Sequence, residues 1–141
     1  IDMLAELKKI KDLIIVNQCN HFFELECKKD NVNIILKKLK ENGTFLFDQL
    51  LDITAVDHPS REFRFDLIYI LQTLKNNKKL ILKTSLKEND SIESITSIHK
   101  AADWYERECY DLFGIEFTNH PDLRRIMTDY NFEGHPLRKD F

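Results

Sequence analysis

Nowhere else in the chain do aromatic, charged and turn-forming side chains crowd together as they do over residues 104–141, WYERECYDLFGIEFTNHPDLRRIMTDYNFEGHPLRKDF. Two of the three prolines and two of the three glycines lie in it. Its start has a helical face. At about 100° per residue, Ile98, Ala102, Tyr105, Cys109 and Leu112 share one narrow arc, the expected core side of an amphipathic helix. Glu108 falls at the edge of that arc, Trp104 beyond it, and Asp103, Arg107 and Tyr110 point away. Gly114 follows the last periodic residue and predicts a left-handed C-terminal cap. A carboxylate beside an apolar seam needs a partner, because an unpaired buried charge is expensive. For Glu108 the expected partners are Arg124, Arg125 and Arg138.

From Ile115 the pattern changes. Phe117, Leu123, Ile126, Met127, Tyr130, Phe132, Leu137 and Phe141 are too many apolar residues for a disordered tail. Yet Asn119-His120-Pro121 and Glu133-Gly134-His135-Pro136 interrupt any long helix or strand. Leu123, Ile126 and Met127 fit one face of a single helical turn. The expectation is a body over 1–114 that includes the helix, continuous with an extended C-terminal arm over 115–141. The arm's side chains plug into a surface divided between this domain and a partner, and its arginines pair with carboxylates.

At 141 residues, 43% hydrophobic and 32% charged, the chain has the makings of one domain with a real core. A net charge of −3 argues against a general nucleic-acid binder, which needs a basic excess. No apolar run approaches the roughly 18 residues of a membrane span, and no secretory segment is visible. Membrane association is therefore expected only through other proteins. Cys19, Cys27 and Cys109 have no iron–sulfur or zinc spacing. They read as reduced thiols, with Cys109 a small hydrophobe on the helix face.

Along the chain, residues 2–11 carry Leu4, Leu7 and Ile10 at helical spacing, with Asp2 as cap. Residues 13–16 and 21–27 read as strands of a hairpin across a polar turn at 17–20. Asp30 is expected to cap a helix through Glu41, with Val32, Ile35, Leu36 and Leu39 on one face and Asn42-Gly43 at its end. Residues 45–56 are a loop or helical turn running into a strand, and Asp57-His58-Pro59-Ser60 is a turn. Residues 63–71 alternate as a strand through Phe63, Phe65, Leu67 and Tyr69. Asn76-Asn77 turns the chain into a returning strand at 80–86. Asn89-Asp90-Ser91 opens a helical region over 92–98. Strands and helices do not alternate strictly, so the pattern predicts an α+β two-layer domain, a mixed sheet with helices on one face, rather than a Rossmann fold.

Glu106, Glu108 and Asp111 invite comparison with paired catalytic carboxylates. Glu106 and Glu108 diverge by about 160° on a helix, however, and no nucleophile accompanies Glu108 and Asp111. A structural ion pair is the favoured reading over a stand-alone hydrolase. His120 and His135, with Cys109 or Asp129, match no metal spacing; a histidine bonding a backbone carbonyl in a turn is preferred. His21, His58 and His99 are isolated. Arg124-Arg125 suits a phosphate less well than an interface, given Asp122 and Asp129 beside it. Glycines at 43, 114 and 134 cannot form a phosphate loop, so neither NADH nor flavin is expected on this chain.

The run Glu106-Arg107-Glu108, Asp111-Leu112-Phe113-Gly114, His120-Pro121-Asp122-Leu123-Arg124-Arg125, Thr128-Asp129-Tyr130 and Phe132-Glu133-Gly134-His135-Pro136-Leu137-Arg138-Lys139-Asp140-Phe141 resembles the signature of the thirty-kilodalton, C-type subunit of NADH-quinone oxidoreductase, respiratory complex I. The upstream residues fit that family only in length and pattern. The resemblance implies an α+β domain that holds no redox centre of its own. Flavin mononucleotide, iron–sulfur clusters and quinone belong to other subunits. It implies a peripheral arm position, on the cytoplasmic face of a bacterial inner membrane or the mitochondrial matrix face. There the chain would pack on other peripheral-arm subunits, chiefly the D-type subunit that helps form the quinone site. It also implies a structural or interface role for Trp104, Glu106, Arg107, Glu108, Asp111, Phe113, Gly114, His120, Pro121, Asp122, Arg124, Arg125, Asp129, Tyr130, Gly134, His135, Pro136 and Arg138. Activity then belongs to the translocating complex, and none is expected of this chain alone. A related module of membrane-bound energy-converting hydrogenases shares the signature and is the nearest alternative. Family members continue beyond such a signature, so the chain reads as a fragment.

Overall fold

A computed structural model describes residues 7–10, 13–19, 22–41, 47–73 and 78–121. Five strands among the described residues pair side by side: β1 (Ile14–Cys19), β2 (Phe22–Glu26), β3 (Gln49–Asp57), β4 (Phe65–Thr73) and β5 (Lys78–Leu86). They form one sheet in the order β1-β2-β5-β4-β3. β2 and β5 run parallel and every other pair antiparallel, so the sheet is mixed.

The register stacks apolar residues into rows across one face. Phe23 lies beside Leu80, Leu80 beside Leu71, and Leu71 beside Leu50. The next row runs Leu25, Leu82, Tyr69, Ile53. All eight of these side chains are buried. The opposite face carries Glu24, Glu26, Ile81, Lys83, Ile70 and Ile68, all only partly buried. There Lys83 pairs with Glu26 at 3.1 Å.

Both edge strands break register once. β1 shifts between Ile15 and Asn17, and β3 between Leu50 and Asp52. The extra residue at Leu51 brings Leu50 and Ile53, three apart in sequence, to the same face. A bulge of this kind hides a strand's alternation. The strand in 45–56 begins at Gln49 behind such a bulge, and β1 continues to Cys19 across residues 17–19, where a turn was expected.

Among the described residues two full helices close the buried face. α1 (Val32–Glu41) buries Val32, Ile35, Leu36 and Leu39, as their spacing predicts. Asp30 does not cap it; a 3-10 turn, Lys29–Asn31, leads straight into the helix and contains Asp30. α2 (Ala102–Phe113) ends at Gly114, which is left-handed (φ 78°) and donates its N–H to Tyr110 O at 2.9 Å, as expected. The region 92–98 is not helical. β6 (Ser91–Glu93) pairs in parallel with β7 (Glu116–Thr118), and turns follow at 96–98. Ile92, Ile95 and Ile98 are spaced like a helix face and all are buried, but the strand that captures Ile92 comes from beyond α2.

α1 and the 3-10 turn before it hold this segment through their polar flank. Lys29 Nζ donates to Ser91 O at 3.2 Å, Asn33 Nδ2 to Ser94 O at 3.4 Å, and the Lys40 ammonium to Ile98 O. Phe63 precedes β4 in an exposed loop instead of starting the strand. Of the N-terminal helix expected over 2–11, Leu7 and Lys8 are helical and Leu7 is fully buried. The turns at Asn42-Gly43 and Asn76-Asn77 lie outside the described residues.

The two faces of β5 predict different costs. Leu82→Ala removes a side chain from the centre of the core and should cost about 2–5 kcal/mol in urea unfolding. Ile81→Ala, on the half-open face, should cost less than half as much. Equal losses would mean the register is wrong.

Candidate functional site

The buried stripe of α2 is Ala102, Glu106, Cys109 and Phe113. Sequence periodicity centred the stripe on Tyr105 and Leu112 by extending the helix back to Ile98. The helix starts at Ala102, and its core face is turned by roughly 50° towards Glu106. Tyr105 and Leu112 sit at the margin, packed against the core. The buried carboxylate is therefore Glu106, at 0% exposure, while Glu108 is only partly buried. Cys109 lies in the core and its Sγ–H donates to Ile53 O at 3.4 Å, tying α2 to β3.

Both oxygens of Glu106 are engaged. Ser94 Oγ donates to Oε1 at 2.6 Å and the Ile95 N–H to Oε2 at 2.9 Å. The carboxylate thus holds the chain where it leaves β6. Burial pushes the Glu106 carboxyl up to about 7, against the opposing pull of these two bonds, and the neighbouring Asp103 adds to the rise.

His120 completes the cluster. Its Nε2 is 3.1 Å from Asp103 O, 3.3 Å from Asp103 Oδ1 and 3.8 Å from Glu106 Oε1. The bond to a backbone carbonyl is the role that sequence reasoning preferred. On the outer side of the helix the Arg107 guanidinium lies over the Trp104 ring, 5.8 Å from its centroid, and 3.9 Å from Asp103 Oδ1. Trp104 is 51% exposed.

Asp111 is also at 0% exposure, yet it lies about 140° around the helix from Glu106. The two carboxylates do not converge on a shared space. α2 is buried on opposing sides, and Asp111 has an interaction partner. Phe113 stacks edge-on against Phe65 with centroids 6.4 Å apart, and Pro121 follows His120. Asp122, Arg124, Arg125, Asp129, Tyr130, Gly134, His135, Pro136 and Arg138 lie outside the described residues.

Sequence reasoning missed a second polar cluster in the β3–β4 loop. Arg64 makes two bonds to Asp57, 2.7 and 3.0 Å, with both side chains buried. Asp66 receives Arg61 Nη2 at 2.7 Å and Ser85 Oγ at 3.1 Å, and lies 3.1 Å from His58 Nε2. Burial alone would raise the Asp66 carboxyl; the bonds from Arg61 and Ser85 and the charges of Arg61 and Lys83 outweigh it and hold it low. The only sequence signal was two arginines flanked by aspartates two to seven positions away. His99, buried beneath the 95–98 turn, is pushed down to about 4 by burial and by Lys40. Burial pushes the Cys27 thiol up to about 12 and raises Cys109 as well, so neither is a ready nucleophile.

A groove of about 840 Å³ opens between Ile14 and Phe63 at the ends of β2 and β5. Three of its cations are already engaged: Lys83 with Glu26, Lys29 with Asp90 at 3.8 Å, and Arg61 with Asp66. Among the described residues no three His, Cys, Asp or Glu side chains group as a metal site. Nor is any helix among them long and apolar enough to cross a membrane.

A mixed five-stranded sheet with both helices on one face is a fold found in a respiratory membrane complex. The chain superposes with a TM-score of 0.84 on a chain of the membrane-bound sulfane sulfur reductase, an archaeal respiratory membrane complex, at 26% identity over 98% of this chain and 82% of that one. It also matches the trypsin-resistant fragment (1–134) of Nqo5, with a TM-score of 0.70 and 26% identity over 85% of this chain and 96% of the fragment. The particular family follows from sequence. Residues 25–141 match the family described as Respiratory-chain NADH dehydrogenase, 30 Kd subunit, and the chain belongs to that family.

The C-type subunit of NADH-quinone oxidoreductase from Paramagnetospirillum magneticum is 44% identical over 126 residues, 89% of this chain and 63% of that protein. Its counterpart from Cereibacter sphaeroides is 49% identical over 107 residues, 76% of this chain and 54% of its own length. That of Ruegeria pomeroyi is 52% identical over 103 residues, 73% of this chain and 52% of its own. The chain thus spans between about half and two thirds of these relatives.

Two outcomes are expected from the polar clusters. The folded state binds a proton at Glu106 more tightly than the unfolded chain does, so stability falls as pH rises from 4.5 to about 7. At about 1.4 kcal/mol per pH unit of separation the loss is on the order of 3 kcal/mol at most. In denaturant titrations across that interval Glu106→Gln should remove this slope; a parallel slope in the variant would show that Glu106 does not carry it. Arg64→Met, which removes both guanidinium bonds to Asp57 while the carboxylate stays buried, should cost about 3–5 kcal/mol. Arg61→Ala, with its side chain 44% exposed, should cost less than about 1 kcal/mol.

Proposed function

We propose that this chain is a non-redox scaffold subunit of the peripheral arm of proton-translocating NADH:quinone oxidoreductase, docking on the D-type subunit near the quinone site and supporting electron transfer from NADH to quinone. Its family membership over 25–141 carries this reading. The geometry of α2 supports it: the Glu106 carboxylate is bonded to Ser94 and the Ile95 amide, and so shapes the domain's own backbone. Flavin, iron–sulfur clusters and quinone are assigned to other subunits, and catalysis to the complex. The chain sits on the membrane's cytoplasmic or matrix face through its partners.

Docking uses Trp104, half exposed on α2 with the largely buried Arg107 guanidinium stacked on its ring, and the segment that follows Pro121. Stacked tryptophan and arginine are the residue types most enriched at interface centres. Arg124, Arg125 and Arg138 supply the segment's charge. A second reading, a homologous module of another membrane-bound respiratory or hydrogen-converting complex, draws on the match to the sulfane sulfur reductase chain across 98% of this one.

The test is a pull-down against the cognate D-type subunit, using the full chain, a truncation after Pro121 that retains β7, and Trp104→Ala. The full chain should bind, the truncation should lose at least tenfold in affinity, and Trp104→Ala should weaken binding without lowering the melting temperature. Failure of the full chain to bind that protein would overturn the docking assignment.

A further inference from the structure

Three chain segments meet at the Glu106 cluster. α2 contributes Asp103 and Glu106, the stretch after β6 contributes Ser94 and the Ile95 amide, and the chain leaving β7 contributes His120. The meeting is buried: the side chains of His120 and Glu106 are 1% and 0% exposed. Asn119, just before the histidine, is left-handed (φ 62°) and turns the chain so that the ring comes back to the helix.

Among the described residues the ring nitrogen Nε2 faces three acceptors, Asp103 O, Asp103 Oδ1 and Glu106 Oε1, so it carries a hydrogen. Asp103 Oδ1 is buried and accepts no hydrogen bond among the described residues; its charged neighbours are His120 and Arg107. On the far side of Glu106, Ser94 Oγ lies 3.0 Å from Thr96 Oγ1. This hydroxyl pair serves either state of the carboxyl: it donates inward when Glu106 is ionised and accepts from it when Glu106 is protonated.

We propose that Asp103, Glu106 and His120 form a proton-dependent latch that fixes the chain leaving β7 against α2, so that the setting of the C-terminal segment responds to pH. With Glu106 protonated, one carboxylate, Asp103, faces the imidazole N–H. When that proton leaves, two carboxylates face one ring: Glu106 is fully buried, and Asp103, its side chain 46% exposed, turns its buried Oδ1 inward, so the two like charges repel with only part of the screening water gives. Opening the latch returns Glu106 and His120 to water and relieves the repulsion. The other titratable groups turned towards Glu106 among the described residues are Asp103 and Cys109 on α2 and Tyr69 on β4; Arg107, beside Asp103, is the nearby permanent cation. Burial raises Tyr69 and Cys109 far from neutrality, which leaves the Glu106 carboxyl to respond near it. The proposal rests on the docking reading only for its consequence, that partner binding through the C-terminal segment is proton-sensitive.

The test is amide hydrogen exchange on the full chain at pH 5.5 and pH 8, with rates corrected for the intrinsic pH dependence of exchange. Protection at Glu116, Phe117 and Thr118 should fall at least tenfold at the higher pH, while Leu67 and Tyr69 in β4 hold theirs. Glu106→Gln, which keeps the hydrogen-bonding shape but cannot ionise, should show equal protection at both pH values. Flat protection in the unmodified chain overturns the latch without recourse to any variant, as does an unchanged pH response in Glu106→Gln. Binding to the D-type subunit at the two pH values separates the claims. Affinity that ignores pH while protection falls leaves the latch standing and overturns its link to docking. Absence of binding counts against the docking reading alone, with the latch still judged by exchange.

Discussion

The rest of the domain leans on the carboxylate of Glu106. A buried acid with no bonds would cost several kcal/mol, and this one is met on both oxygens by a hydroxyl and an amide from a single loop. The loop is the one that α1 and the 3-10 turn before it also grip, through Lys29, Asn33 and Lys40. Helix, loop and helix are thereby joined through polar contacts, while their apolar sides meet the same sheet face. The arrangement fixes where β6 lies, hence where β7 pairs, and hence the line along which the chain leaves the body.

Much of the fold was legible because it rests on local periodicity. α1 shows its four buried residues at i, i+3, i+4 and i+7, β5 alternates from Leu80 on, and β4 alternates from Leu67 on. Gly114 announces the end of α2. What failed to show were features fixed by distant partners. The 92–98 segment has helical spacing but is claimed by β7, which lies on the other side of α2 in sequence. β1 and β3 lost their alternation to bulges.

The candidate site was half legible. In α2, a helix start placed four residues early rotated the expected buried face and selected Glu108 in place of Glu106 as the carboxylate at the core. The pairing of Asp57 with Arg64, and of Asp66 with Arg61 and His58, had no periodic trace, because a loop's hydrogen bonds follow its path in space and not the spacing of its residues. His58 looked isolated for that reason alone.

The irregular edges have a consequence for how such a domain is built into something larger. β1 and β3 are the two outer strands, and each carries its bulge where an added strand would have to match hydrogen bonds. A bulge twists the edge and spoils the regular ladder that another chain's backbone needs. Main-chain templating is thereby disfavoured at both edges of the five strands found among the described residues. Recognition is left to side chains on the helices and loops, whose chemistry distinguishes one neighbour from another in a way that a backbone ladder does not.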